Sequence, residues 1–367
     1  MRIGMSLLLW IVIGSTLSAQ TPTRQQLGTR EVEQVLTRLV ESYGVSGMEA
    51  PVRAQIERLL PAGLQSQTDS AGNLWVTVGS GEPTVVFIAH MDEIGFQVTG
   101  IREDGSLDLA PVGGLFPSLW EAKPALVHTG QASVPGVFMP RDSGAVPDSL
   151  RRTPPEMRAD VGTTSRDATQ ALGIQVGHTL TMPKEYVRLA NTRATARSFD
   201  DRVGSTAQLL ALQRLDRNRL RHRVIFVWSV REEIGLEGAR AVANTLGIRV
   251  ARVHAIDTFV SADSPVETRN FGVALLGRGA VARALDNSSV TPPAHVDSLV
   301  ALARARRIPF QVGTTNGGND GSVFGMYGVP DVPIAWPLRY SHSPAETIDL
   351  RDVVSLAQMI AAVAEQW

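Results

Sequence analysis

The chain has 367 residues, 43% of them hydrophobic and 19% charged, enough for a sizeable core and for one large domain with an insertion, or for two domains. Its formal net charge is −1, so composition gives it no general affinity for nucleic acid or for an anionic membrane surface. It has no cysteine, which excludes a disulfide, a thiolate zinc site and a cysteine nucleophile, and leaves His, Asp and Glu to hold any metal.

Met1-Arg2 precedes the apolar run Met5-Ser6-Leu7-Leu8-Leu9-Trp10-Ile11-Val12-Ile13, and small and polar residues follow to Ala19-Gln20. This is the plan of a secretory signal peptide over residues 1–19, cut after Ala19, with a secreted or periplasmic location for the mature chain. The run is short for a bilayer span, so no stable membrane insertion is expected after cleavage. The alternative is a buried or lipid-anchoring N-terminal helix. A polar linker leads to one helical stripe, Val32, Val35, Leu36, Leu39 and Val40, and then to a second, Val52, Ile56, Leu59 and Leu60. Pro61-Ala62-Gly63 stops the second helix. Asp69-Ser70-Ala71-Gly72-Asn73 is a turn between strands, with Leu74-Trp75-Val76-Thr77-Val78 after it.

Thr84-Val85-Val86-Phe87-Ile88-Ala89 is apolar and rich in β-branched residues, a buried strand of a parallel sheet covered on both faces. His90-Met91-Asp92-Glu93-Ile94-Gly95-Phe96 follows it. Open α/β sheets place their sites beyond the carboxyl ends of their strands, where His90 and Asp92 stand. A carboxylate two residues from an imidazole can hold the ring's second nitrogen and fix which nitrogen faces a metal. Alone, His-x-Asp is equally a structural turn with a capping Asp.

Residues 95 to 109 read as a hairpin turning at Glu103-Asp104-Gly105-Ser106. From 111 to 192 the texture changes to short β-like pieces broken by glycine and proline, as in Val112-Gly113-Gly114 and Val134-Pro135-Gly136-Val137, with a polar Pro-rich stretch at 141–156. These residues predict a small β domain at 111–192, inserted into a larger α/β domain formed by 20–110 and 193–367. The α/β pattern resumes at Ser198-Phe199-Asp200-Asp201-Arg202-Val203-Gly204 and a helix with Val203, Ala207, Leu210 and Ala211 on one side. A buried strand at 223–230 runs into Arg231-Glu232-Glu233-Ile234-Gly235-Leu236-Glu237-Gly238, and a helix then reaches Leu246, with Gly247 as its stop. A strand at 252–256 delivers Asp257. Later strands are expected at 271–276, 309–312 and 332–336, with a helix at 296–307 among them. Tyr340-Ser341-His342-Ser343-Pro344 precedes a last amphipathic helix at 350–364. The expected fold class is α/β: a three-layer α/β/α body with a mixed, largely parallel sheet, and an inserted small β-barrel-like domain.

Glu232, Glu233 and Asp257 follow strands as His90 does, and strand ends side by side in one parallel sheet converge on a single crevice. With Asp200 and His342 they make two imidazoles and several carboxylates with no thiolate, a donor set that suits a pair of zinc, cobalt or manganese ions. One carboxylate must stay free of metal to carry protons, and a Glu-Glu pair on a loop after a strand provides one of each. His128, His178, His222 and His295 read as ordinary surface or hinge residues, and His254 as a satisfied strand histidine.

Taken in order, five segments resemble the TET-type di-metal aminopeptidases, the family of glutamyl and deblocking aminopeptidases in which some members carry the label endoglucanase. They are His-Met-Asp-Glu-Ile-Gly-Phe at 90–96, Phe-Asp-Asp-Arg-Val-Gly at 199–204, Glu-Glu-Ile-Gly-Leu-Glu-Gly-Ala at 232–239, Asp257, and Tyr-Ser-His-Ser-Pro-Ala-Glu at 340–346. The resemblance covers about residues 31–364, and Asp160-Val161-Gly162 and Ala171-Leu172-Gly173-Ile174-Gln175-Val176-Gly177 resemble the family's inserted domain. It implies a discontinuous metallopeptidase domain that hydrolyses N-terminal residues from peptides, with two divalent ions, zinc first and cobalt or manganese as alternatives. His90 and Asp257 would bind one metal, Glu233 and His342 the other, and Asp200 would bridge them. Asp92 would orient His90, and Glu232 would take a proton from the attacking water and pass it to the leaving amine. The resemblance also points to a cis Asp200–Asp201 peptide, and to a homo-oligomer, a hollow dodecamer, assembled through the inserted domain. The chain departs from the family's pattern at Arg231, where a neutral polar residue is more usual, at Asn319 within Gly317-Gly318-Asn319-Asp320-Gly321, and in its signal-like start, since the family is usually intracellular. The rival readings are a related di-metal carboxypeptidase or deacylase, a glycosidase, and a non-catalytic binding or assembly protein. A glycosidase needs two carboxylates across a sugar ring, and the carboxylates here are committed to metal.

Overall fold

The structure is a computed structural model that describes residues 27–140, 156–261, 263 and 274–366. The predicted signal segment 1–19 and most of the Pro-rich stretch at 141–156 lie outside the described residues. Among the described residues the body is built on a five-stranded sheet in the order Ser66–Thr68, Leu74–Val78, Arg223–Ser229, Thr84–His90, Val250–Ala255. The last three strands are parallel, and the first two form the antiparallel hairpin expected around Asp69–Asn73.

Every residue of Thr84–His90 is buried, as a strand covered on both faces must be. Its side chains alternate between two cores. Val85, Phe87 and Ala89 pack with helices Thr29–Val40, Phe199–Arg214 and Leu350–Gln366, whereas Val86 and Ile88 pack with helix Glu237–Leu246 and the 3-10 segment Asp320–Tyr327. This alternation makes the three layers. Each fully buried Val, Ile or Phe contributes about 1.5–3 kcal/mol to holding them together. Phe87 also stacks on Phe226 of the next strand, ring centroids 5.2 Å apart.

The backbone continues past Val250–Ala255 through Val332 N–H donating to Val253 O at 2.8 Å, which leads to a four-stranded sheet in the order Thr258–Val260, Ile334–Leu338, Ala280–Leu285, Phe310–Thr314. One expected strand differs here. Of 271–276, residues 271–273 lie outside the described residues and 274–276 is loop, while the strand of this region is Ala280–Leu285. Gly277 and Gly279 take φ of +84° and +101°, so the chain turns before the strand begins. The strand itself is alanine-rich, and alanine carries little β-propensity.

A closed barrel runs in the order Gly95–Ile101, Leu107–Val112, Met157–Asp160, Ser133–Phe138, Pro124–His128, Thr179–Thr181. Its core is separate from the body's, around Phe96, Trp120 and Phe138, whose ring centroids stand 5.3–5.4 Å apart. The hairpin that follows His90 therefore pairs into the barrel, which begins at Gly95 rather than at 111, because Gly95–Ile101 also pairs with Thr179–Thr181. A buried charge cluster ties the barrel's entry and exit to the body. Glu93 accepts from Arg197 Nη2 at 2.7 Å, Lys184 Nζ at 3.0 Å and the Gly44 backbone N–H at 2.7 Å, and Ser198 Oγ also donates to it. Burial would raise the Glu93 carboxyl, but Arg197, Lys184 and Arg202 hold it well below the usual carboxylate range. No helix of the described residues is long and apolar enough to cross a membrane.

Candidate metal centre

Three adjacent parallel strands bring their carboxyl ends to one crevice. Thr84–His90 lies in the middle and ends on His90, with Ser229 of one neighbour directly beside it. Glu232 and Glu233 follow that neighbour, and Asp257 follows the strand Val250–Ala255 on the other side. Asp200 comes from the first turn of helix Phe199–Arg214, which departs from helical angles at Asp200 (φ −74°, ψ 110°) and Asp201 (φ −115°, ψ 46°). The Asp200–Asp201 peptide is cis. His342 sits in the loop after Ile334–Leu338, with φ of 60°.

His90 Nε2 lies 3.1 Å from Asp200 Oδ1. His342 Nε2 lies 3.3 Å from Glu233 Oε2 and 3.6 Å from Asp200 Oδ2. Asp200 thus stands between the two imidazoles, one oxygen toward each. Ligand atoms of His90, Asp200 and Glu233 lie within 4.8 Å of one another. These are nitrogen and carboxylate oxygen donors, the chemistry that zinc, cobalt and manganese accept, so the residues present fit a divalent ion. Asp257 is outside that tight group, yet it shares the crevice. Burial pushes its carboxyl up to about 6, with Arg283 and His90 opposing and Asp200 adding to the rise.

The supports of these groups are as specific as the groups. Asp92 is fully buried, and its Oδ1 lies 3.4 Å from His90 Nδ1. The same carboxylate accepts the backbone N–H groups of Glu232 at 3.0 Å and Glu233 at 3.1 Å, and the hydroxyl of Ser46 at 2.5 Å. It therefore fixes the Glu-Glu loop as well as facing the imidazole. At the other end, His342 Nδ1 bonds to the carbonyl of Gly114, leaving Nε2 turned to the carboxylates. Gly114 belongs to the turn that leaves the barrel strand Leu107–Val112. Its neighbour Gly113 has φ of +84°, and a Cβ there would meet Ile94 at 2.6 Å and Glu233 Cβ at 3.3 Å. The barrel's glycine turn packs directly on the Glu233–His342 side of the crevice.

Burial pulls the His90 ring down, but its contacts with Asp200 and Asp92 raise it well above the ordinary value. His342 is raised in the same way by Glu233 and Asp200. Burial drives Glu232 well above the usual range, with His90 opposing and Asp257, Glu233 and Asp320 adding repulsion. So many carboxylates around two imidazoles is an arrangement that calls for cationic charge.

Three contributors to this site carry no role in the sequence reading. Glu346 accepts from the backbone N–H groups of both Asp200 and His342. Asp320 is buried, receives the Ser229 hydroxyl, and is pushed up to about 7, chiefly by burial. Gly114 works through its carbonyl. Glu346 closes the Tyr-Ser-His-Ser-Pro-Ala-Glu segment at 340–346 and Asp320 follows Asn319, so both stand beside residues that carry the sequence signal. His254 is the satisfied strand residue expected, its Nδ1 2.8 Å from Val332 O and its ring stacked on Phe87.

Comparison with known proteins identifies the family and the fold. The family model described as M42 glutamyl aminopeptidase matches residues 72–359. A lysyl aminopeptidase of Pyrococcus furiosus is 28% identical over 348 residues, covering 91% of this chain and 96% of that protein. The TET1 peptidase of Pyrococcus horikoshii, which can assemble into a tetrahedron or a large octahedral shell, superposes with a TM-score of 0.83 at 31% identity, over 92% of this chain and all 100% of that one. The aminopeptidase APDkam598 of the archaeon Desulfurococcus kamchatkensis gives a TM-score of 0.84 at 29% identity, over 92% of this chain and 96% of that one.

Proposed function

The chain belongs to the M42 glutamyl aminopeptidase family, and from that premise we propose that it is an aminopeptidase that works with two divalent metal ions. The single observation that carries the metal reading is Asp200, placed with one oxygen toward His90 and the other toward His342. In this reading His90 and Asp257 would hold one ion and Glu233 and His342 the other, with Asp200 between them serving both. Ions so held supply Lewis acidity and lower the pKa of water. Every other task falls to groups of the chain itself. Asp92 keeps the proton of His90 on Nδ1, so that Nε2 faces the metal. The Gly114 carbonyl does the same for His342. Glu232, half-buried near the start of its loop, takes the proton from the attacking water and returns it to the leaving amine.

The substrates are peptides with a free N-terminus, in keeping with the lysyl and glutamyl aminopeptidase names of the relatives. The assemblies of the solved neighbours support a homo-oligomer, and in this reading the barrel at 95–181 is the assembly module. A secreted or periplasmic location rests on the composition of residues 1–19.

The test is hydrolysis of aminoacyl p-nitroanilides with zinc, cobalt or manganese added to chelator-treated protein. Metal-dependent release from free-amine substrates is expected. Glu232→Gln should lose about 10²–10⁴ in kcat while still binding metal. Equal rates on N-blocked substrates would overturn the aminopeptidase mechanism, and full activity in the chelated protein would overturn its metal dependence.

A further inference from the structure

Asp200 and His342 are distant in sequence, and neither sits in regular backbone: Asp200 has non-helical angles and His342 is left-handed at φ 60°. Their relative position cannot come from helix or strand geometry at either residue. It comes from the strands behind them. Arg193–Ala196 pairs antiparallel with Glu346–Asp349, and the register sets Ala196 opposite Glu346. One strand leaves this point for Asp200, four residues on, while the other has just arrived from His342, four residues back.

Glu346 stands at that junction with a buried side chain. Its Oε2 accepts the Asp200 backbone N–H at 3.2 Å, and its Oε1 accepts the His342 backbone N–H at 2.9 Å. One carboxylate thus closes both loops, an oxygen to each. A carboxylate is the side chain suited to this, because it offers two acceptors and no donor. Burial strengthens both bonds by excluding competing water.

We infer that Glu346 is a positioning residue that sets the spacing between Asp200 and His342 through their backbone N–H groups, and thereby the affinity of the proposed metal pair. This rests on the two-metal reading given above. Glutamine at 346 would keep one acceptor and turn an NH2 group on the other backbone N–H, so one loop would lose its tether while shape and volume stayed constant. Aspartate would keep both acceptors on a shorter arm.

The experiment uses full-length wild type, Glu346→Gln and Glu346→Asp, freed of metal and titrated with zinc and cobalt against a chelating indicator. Thermal midpoints of the metal-free forms and kcat and KM on an aminoacyl p-nitroanilide are measured alongside. We expect Glu346→Gln to bind metal about 10–100-fold more weakly, the usual effect of removing a group that orients a ligand. Its kcat should fall more than its KM changes, and Glu346→Asp should recover part of the affinity. Wild-type metal affinity in Glu346→Gln would overturn the assignment, including the case in which only its metal-free thermal midpoint falls. If Glu346→Gln does not fold, Glu346→Ala, which removes both acceptors, is titrated in its place, and wild-type affinity there overturns the assignment in the same way. A wild type that takes up no metal overturns the two-metal reading and this inference with it, an outcome separable from the others by the wild-type titration alone.

Discussion

Replacing Asp92 by Asn separates its charge from its shape. The carboxylate accepts the Glu232 N–H on Oδ1, and the Glu233 N–H and the Ser46 hydroxyl on Oδ2, with His90 Nδ1 3.4 Å from Oδ1. An amide would turn its oxygen to the side with two donors and present its NH2 to the Glu232 N–H and to His90. That leaves a buried N–H without an acceptor, at about 1–3 kcal/mol, and strips charge assistance from two further bonds, at about 1 kcal/mol each. The sum is about 3–5 kcal/mol, divided between stability and the site. The NH2 also needs an acceptor, and His90 Nδ1 can serve only by moving its proton to Nε2, the nitrogen that faces Asp200. A protonated Nε2 cannot ligate. We therefore expect metal affinity about 10–100-fold weaker and kcat/KM reduced by at least as much. Chelator competition and aminoacyl p-nitroanilide kinetics, with circular dichroism to confirm folding, read the outcome. A folded Asp92→Asn protein with wild-type metal affinity and wild-type kcat/KM would refute the tautomer argument.

Two further outcomes follow from other buried charges. Glu93→Gln removes the only carboxylate that pairs, among the described residues, with the buried Lys184, Arg197 and Arg202, the last at 3.5 Å. Breaking such a cluster from one side costs about 3–5 kcal/mol, and urea unfolding should show it; a midpoint equal to wild type would sink the argument. The second concerns metal removal. Burial, opposed by nearby cations and hydrogen bonds, raises Asp257 to about 6 and Asp320 to about 7 in the folded metal-free chain. Groups whose pKa is raised by folding contribute stability below their unfolded pKa and lose it as pH rises through the folded value. Chelated protein should therefore become less stable from about pH 4 to pH 8, while zinc, which takes the place of the protons, should stabilise most at the upper end. Thermal midpoints with and without zinc at pH 5, 6, 7 and 8 check this, and a gap that does not widen with pH would contradict it.

Much of the body is legible in the sequence because its strands are covered on both faces. A continuous apolar run such as 84–89 has one stable environment, and its end marks the crevice. His90, Glu232, Glu233 and Asp257 are all readable as what comes next after such a run. The barrel is less legible. Residues 95–112 announce a hairpin, but whether that hairpin belongs to the body or to the insertion depends on pairing with Thr179–Thr181, a contact that no local pattern encodes. Ala280–Leu285 is hidden for a different reason. Its alanines suit a strand squeezed between neighbours, and they carry no β signal of their own.

The same distinction separates the ligands from what holds them. A side chain proposed as a metal ligand advertises itself by its chemistry, so each of the five, His90, Asp200, Glu233, Asp257 and His342, is readable from its residue type and its place at a strand end or turn. The groups that hold them act mainly through the backbone of another segment: Asp92 on the amides of Glu232 and Glu233, Glu346 on those of Asp200 and His342, and Gly114 by its own carbonyl on the His342 ring. A backbone amide or carbonyl is the same in every sequence, so such a bond leaves no trace in residue type. It follows that the site's precision is a property of how the strand ends, the barrel turn and the Glu346 junction meet. Substitutions at residues of unremarkable identity, Gly113 or Ala196 among them, can reach the proposed metal ligands by moving the backbone that these bonds connect.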